Sequence, residues 1–382
     1  MTNGQTAAGF EHIADVFDEV LADTHGHGAA LHIRLDGTPV VDLWGGNARP
    51  DVPWTPHTSS VIFSCTKGLV SILIGELVDE GLLDLDAPVT RYWPEFVGGG
   101  KETVSVRAML AHRAGVPFIR QPLEKADIID WDRMVDLLAA EAPQFEPDST
   151  YSYHGLTFGW LAGELVRRIT GKSVGTFFSE RITGPLGADA WIGLDPAHAD
   201  QVATLYVEDG YPEPQPVRTD ASEFERLAGE AMTFGNAIPR RFADPGIGWN
   251  DPDMRQAEIP GAGGIASARA LATIWSATVS DREAISLLSP EVIHDMRRVQ
   301  SIGAPGPGVP PPWPRWATGF MLSTAVRPFL SPSSFGHDGL GGQVGFADED
   351  ARIGFGFVTN DLRLTPDPRG VNLVNALKRV IE

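Results

Sequence analysis

The chain has 382 residues, 42% of them hydrophobic and 21% charged, and 50 acidic against 30 basic side chains give a net charge of −20 at pH 7. That acidity argues against nucleic acid or an anionic membrane as partner, because both would be repelled. No apolar run reaches the length of a bilayer span, and the lone Cys65 excludes an intrachain disulfide and a thiolate metal cluster.

The length suits one composite domain or two packed subdomains. The opening "MTNGQTAAGFEHIADVFDEV" has neither a basic region nor an apolar signal core, so a cytoplasmic location is expected. Within it Phe10, Ile13, Phe17, Val20 and Leu21 step by three and four, which predicts an amphipathic helix. Leu31, Ile33 and Leu35 then alternate with His32 and Arg34, and Asp36-Gly37 supplies a hairpin turn to a second strand. The stretch "VIFSCTKGLVSILIGELVDEGLL" from Val61 reads as a buried helix. Ser105 is placed to cap the helix of "VSVRAMLAHRAG", with Gly115 to stop it.

Phe158, Leu161, Leu165 and Ile169 mark a further helix ended by Thr170-Gly171, and "IASARALATIWSATVS" and "SPEVIHDMRRV" predict two more. "GAPGPGVPPPWPRW" is a loop by its proline and glycine content. "GQVGFADEDARIGFGFVTN" predicts two strands around an acidic turn, and "VNLVNALKRVIE" a closing helix. Strands cluster at both ends of the chain. The expected fold is therefore α+β, a sandwich-like antiparallel sheet built from both termini and flanked by helices. Residues 1–84 and 265–382 form that part, and 85–264 an inserted, mainly helical subdomain.

Lys67 is one of only five lysines, yet it falls in the first turn of an apolar helix. A cation there is unfavourable unless it is paired or used. Ser64 lies three residues earlier on the same helix face, within reach of the amine. A plain helix cap is the competing reading of Ser64. As a nucleophile, Ser64 would need a base and a donor for the oxyanion, and a helix N-terminus supplies a free backbone N–H. Tyr151 and Tyr153, in "PDSTYSYHGLTFGW", offer a phenol for the pair. Either a phenolate beside cationic Lys67 or a neutral Lys67 would take the proton. In "FGHDGLGGQVGF" the glycines at 336, 339, 341, 342 and 345 fit a strand that something must approach closely.

These segments resemble the serine beta-lactamase and penicillin-binding protein superfamily. Ser64-Cys65-Thr66-Lys67, Tyr153-His154-Gly155 and His337-Asp338-Gly339 follow its motif order, and the chain looks most like the class C-related carboxylesterases called family VIII esterases. The resemblance extends over "LVDEGLLDLDAPVTRYWPEF", "VRAMLAHRAGVP", "YHGLTFGWLAGELVRRITG" and "AEIPGAGGIASARALA". It implies Ser64 as the acylated residue, Lys67 and Tyr153 as its catalytic partners, and the Ser64 and Leu340 amides as the oxyanion hole. Tyr151 ranks behind Tyr153. Three departures concern the substrate: His337 stands where lysine normally holds a carboxylate, Gly155 replaces an amide-binding asparagine, and Asp338 replaces a hydroxyl residue and would repel an anion. All three favour a neutral short-chain ester.

Candidate substrate-binding residues are His337, Gly339, Gly155 and Tyr151, with Trp313 and Trp316 as candidates for an acyl pocket against simple loop packing. The G-x-S-x-G match at Gly171-Lys172-Ser173-Val174-Gly175 starts at a helix end rather than after a strand, so an alpha/beta-hydrolase elbow is not supported. Cys65 points away from the Ser64–Lys67 face, and His112 reads as a satisfied core histidine. His25 and His27 flank a turn glycine and suggest no metal site. "GAGGIA" follows proline rather than a strand and suggests no dinucleotide loop. No cofactor or metal is expected. The expected partner is a small-molecule ester, with homo-oligomerisation open. An acyltransferase, a D-amino acid amidase or peptidase, and a weak beta-lactamase remain as alternatives, as does a catalytically silent binding member of the fold.

Overall fold

The computed structural model describes residues 1–207, 210–211, 222–306, 311–325, 327–364 and 367–382. Thirteen short strands are found among them. In chain order they are β1 (Thr2–Thr6), β2 (Ala29–Leu35), β3 (Thr38–Gly45), β4 (Asn47–Arg49), β5 (Val52–Pro53), β6 (Ser59–Val61), β7 (Ala190–Ile192) and β8 (Gly264–Ser267). The remainder are β9 (Arg315–Trp316), β10 (Met321–Leu322), β11 (Ser334–Asp338), β12 (Val344–Asp348) and β13 (Ile353–Thr359).

Eight strands form one antiparallel sheet in the order β1-β3-β2-β13-β12-β11-β10-β9. The two ends of the chain meet at its centre, where β2 pairs with β13 from Ala29↔Thr359 to Leu35↔Ile353. The register is set by burial. Leu31 opposes Phe357 and Ile33 opposes Phe355, and all four are fully buried on one face. Helix α1 (Glu11–Ala22) packs Ile13, Phe17, Val20 and Leu21 on that face. The closing helix, here α5 (Arg369–Ile381), adds Leu373, Val374 and Leu377.

The opposite face carries the larger core. Helix α2 (Cys65–Asp79) is buried from Cys65 to Leu77 without a polar side, as expected of a central helix. It packs beside α3 (Thr157–Thr170) and α4 (Ala268–Ser276), and one apolar cluster joins Leu69, Leu73, Leu161, Leu271 and Phe335. The expected sheet of both termini with a helical insertion is the fold observed.

Local readings hold at several helix ends. Ser105 accepts from the Ala108 N–H, and Gly171 ends α3 at φ 68°. Other readings need correction. The helix capped by Ser105 ends at Leu110 with Ala111 as its C-cap, not at Gly115. The polar stretch Thr2–Thr6 is an edge strand on β3, which its lack of apolar alternation hid. Ile265, Ala266 and Ser267 belong to strand β8, and the helix begins only at Ala268, with Ser267 as its cap. The expected loop "GAPGPGVPPPWPRW" ends in strand β9, and its residues 307–310 lie outside the described residues. A second sheet, β6-β8-β7, lies immediately before the start of α2.

Candidate active site

Strand β6 leads into a tight turn at Ile62-Phe63-Ser64. Phe63 has φ 45°, a left-handed conformation that a bulky residue adopts only when packing enforces it. Trp249 and Phe242 meet its ring edge-on at centroid distances of 5.8 and 6.2 Å. The turn delivers Ser64 to the N-terminus of α2 with helical φ and ψ, and its side chain makes no capping hydrogen bond. The hydroxyl is thus not a cap.

Two other groups meet that hydroxyl. Lys67 Nζ lies 3.1 Å from Ser64 Oγ, and the Tyr153 hydroxyl donates to the same oxygen at 2.8 Å. Lys67 is fully buried, and its amine also donates to the Gly261 carbonyl at 2.7 Å. Among the described residues no carboxylate forms an ion pair with it. Burial therefore pulls the ammonium down to about 7, against the smaller opposing pull of Asp338. Loss of surrounding water pushes the Tyr153 phenol the other way, above its ordinary value.

The loop before α3 holds Tyr153 through its neighbours. His154 is fully buried, its Nδ1 donating to the Ser152 carbonyl at 2.6 Å and its Nε2 accepting from the Val116 N–H at 3.2 Å. Burial holds that ring neutral, at about 4. The His154 N–H donates to His112 Nδ1 at 3.2 Å, so His112 is the satisfied core histidine expected. Trp316 stacks on the Tyr153 ring at 5.2 Å and 13°.

The end of β11 forms the opposite wall. Gly339 donates to the Gln343 carbonyl at 2.8 Å and closes the turn that carries Leu340. A Cβ at Gly339 would lie 2.3 Å from the Ile62 carbonyl, so glycine is required by the backbone approaching the nucleophile turn. Leu340 is 37% exposed and borders the cavity with Ser64, Tyr153, Trp316 and Gly339. Among the described residues, the Ser64 and Leu340 amides donate to no protein acceptor.

Several expected pocket residues lie elsewhere. The Tyr151 hydroxyl donates to the Gly303 carbonyl at 2.6 Å, and its buried ring does not line the cavity. Trp313 does not line it either, although Pro312 and Pro314 do. The His337 ring is buried beside Tyr153 and Trp316, at 6.2 and 5.5 Å, and its Nδ1 donates to the Asp338 carbonyl at 2.6 Å. Burial, reinforced by the Lys67 charge, keeps it well below its usual value. Gly155 is covered: a Cβ there would meet Met232 Sδ at 2.4 Å. The Asp338 carboxylate is ion-paired with Arg327, so its charge is largely neutralised at the mouth. Cys65 donates its thiol to the His337 carbonyl at 3.2 Å, and burial pushes that thiol far up.

Met232, Arg327 and the Gly261 carbonyl are the parts that sequence reasoning missed. A backbone carbonyl has no side-chain signature, and Met232 and Arg327 reach the site from segments without a motif.

An antiparallel sheet between helical layers, with Ser, Lys and Tyr meeting at the start of the buried helix, defines a beta-lactamase-like fold and site. A family model described as Beta-lactamase matches residues 13–378, and the chain belongs to that family. A family VIII carboxylesterase of known structure is similar at a TM-score of 0.84 and 33% identity over 100% of both chains. A penicillin-binding protein homologue from Caulobacter crescentus gives the same values. Among curated relatives, the esterase/beta-lactamase LipL of Mycobacterium tuberculosis (strain ATCC 25618 / H37Rv) is 34% identical over 345 residues, 88% of this chain and 77% of that protein. Esterase EstB of Burkholderia gladioli is 29% identical over 60% of this chain and 62% of its own length.

Proposed function

We propose that Ser64 cleaves carboxylic esters by two-step acyl transfer, with Lys67 and Tyr153 moving its proton. The chain is a carboxylesterase-type serine hydrolase, a class supported by esterase-named relatives and by the family VIII carboxylesterase of the same fold. The observation that carries the mechanism is the approach of two titratable groups to one hydroxyl, at 3.1 and 2.8 Å.

A buried amine brought down to about 7 is half neutral near neutrality, and as the free base it accepts the Ser64 proton while Ser64 Oγ bonds to the ester carbonyl carbon. The oxyanion is received by the Ser64 and Leu340 amides. As the bond to the alkoxide breaks, the Tyr153 hydroxyl gives its proton to the leaving oxygen and regains one from the Lys67 ammonium. Water then attacks the acyl carbon, its proton passes to the amine, and the acid leaves as Ser64 is reprotonated. The raised phenol fits a donor that stays protonated between turnovers.

The naming of LipL as esterase/beta-lactamase motivates a second, weaker substrate class, the beta-lactams. Turnover of p-nitrophenyl acetate and butyrate, with nitrocefin alongside, by the wild type and Ser64→Ala tests both. Ester turnover should fall to the uncatalysed background in Ser64→Ala, and a fluorophosphonate should label the peptide containing Ser64. Full activity in Ser64→Ala would end this assignment.

A further inference from the structure

The cavity over Ser64 and Tyr153 has a volume of about 860 Å³, toward the upper end of pockets that enclose drug-sized ligands. A short ester of the kind expected from the sequence leaves most of that space unfilled. Away from the nucleophile, its wall is Met321 on β10, Val344 on β12, Phe329 between β10 and β11, and Val371 and Val374 on α5. Trp316 joins this apolar wall to the Tyr153 ring.

The polar lining offers a charged ligand little. Among the described residues four charged side chains border the cavity, and each has a protein counter-ion: Arg327 with Asp338, Arg363 with Asp23, and Asp367 with Arg369. A charged group entering would lose water and gain no unpaired partner. Beside the nucleophile, the position of a side chain at Gly155 is taken by the Met232 thioether, which also borders the cavity. This surface is apolar where an amide would need a hydrogen-bonding group.

We infer that the arm between β10–β12 and α5 binds an uncharged medium-chain alkyl or aryl group of the substrate ester, and that Val371 helps set the accepted length. The inference rests on the ester-hydrolase reading. The same hydrocarbon can belong to the acyl or to the alcohol half of the ester, and two substrate series separate these sources. Burying each further methylene is worth about a two- to fourfold gain in kcat/KM.

The test measures kcat/KM of the full chain for p-nitrophenyl acetate, butyrate and octanoate, and for ethyl, butyl and octyl acetate by pH-stat. At least one series should rise tenfold or more from the shortest to the longest member. The series that rises identifies the half of the ester in the arm. In Val371→Trp, which fills the arm from the first turn of α5, the octanoate-to-acetate or octyl-to-ethyl ratio should fall at least tenfold. Val371→Ala should keep or raise it. Flat or falling values in both wild-type series overturn the inference, as does an unchanged ratio in Val371→Trp. Should the tryptophan variant fail to fold, the wild-type series decide alone. Turnover that survives Ser64→Ala would defeat the ester-hydrolase mechanism itself, whereas Ser64-dependent turnover without a length gradient defeats only the apolar arm.

Discussion

Arg369, the first residue of α5, donates through Nη2 to the Gly341 carbonyl at 3.3 Å, tying the last helix to the turn that carries the Leu340 amide. The same guanidinium donates to the Asp361 carbonyl at 2.7 Å and pairs with the carboxylates of Asp361 and Asp367 at 3.1 and 2.6 Å. All three side chains are nearly inaccessible. A cation at a helix N-terminus is disfavoured by the helix dipole, so the two carboxylates are what hold it there.

Arg369→Ala leaves the buried Asp367 carboxylate without its partner and Asp361 with only the more distant Arg363, at 3.9 Å, and is expected to lose about 3–5 kcal/mol of stability in urea unfolding. Arg369→Lys keeps the charge but not the planar fork. It should unfold at a urea concentration closer to wild type yet show kcat on p-nitrophenyl acetate reduced roughly ten- to hundredfold, because the Leu340 amide is no longer fixed. A lysine variant with unimpaired kcat would separate the Arg369 network from catalysis.

The pH profile follows from opposite shifts on the two partners of Ser64. Burial lowers Lys67 to about 7 and raises Tyr153 above its ordinary value. The base is active when neutral, so kcat/KM should be low where Lys67 is an ammonium and rise as pH passes about 7. The donor phenol stays protonated, so the rate should then hold level well into the alkaline range. A profile that falls as pH rises through 7 would assign the active form to the protonated lysine instead.

Tyr153→Phe removes one hydroxyl while keeping the ring that stacks on Trp316. Stability should change by less than about 1 kcal/mol, because the hydrogen bond to Ser64 is lost without a cavity. Loss of the proton donor should lower kcat by about 10²–10⁴-fold. Activated esters, whose leaving groups need little protonation, should suffer less than alkyl esters. Equal losses on p-nitrophenyl acetate and ethyl acetate would count against a leaving-group role.

What could be read from the sequence was what side chains announce at short range. The i, i+3 pair Ser64 and Lys67 on an apolar helix, the Asp36-Gly37 turn, and the alternation of Leu31, Ile33 and Leu35 each encode their geometry locally. Strand β1 was hidden because Thr2–Thr6 pairs through its backbone and has no apolar face to alternate. As residues Tyr151 and Tyr153 look alike, and only the His154-Gly155 that follows Tyr153 ranks it first by resemblance. Only the folded chain turns one phenol to the Gly303 carbonyl and the other to Ser64. The charge on Asp338 was legible but its neutralisation was not, since Arg327 lies eleven residues away on another segment. Long-range contacts of this kind depend on the register of the whole sheet.

The last prediction concerns the carbonyl that holds Lys67. Gly159 on α3 packs directly on Gly261, and a Cβ at position 159 would lie 2.0 Å from the Gly261 nitrogen and 2.5 Å from the Pro260 carbonyl carbon. Backbone cannot yield as a flexible side chain does, so Gly159→Ala must displace the 260–261 segment and is expected to lose about 1–3 kcal/mol of stability. The displacement also draws the Gly261 carbonyl away from Lys67 Nζ, which it now meets at 2.7 Å. An acceptor on an ammonium favours the charged form, so losing it should lower the Lys67 pKa further. The midpoint of the kcat/KM rise should therefore move below the wild-type value of about 7, while the plateau falls because the amine is less firmly held. A variant that is destabilised but keeps the wild-type midpoint would mean that Gly261 supports the fold without tuning the base.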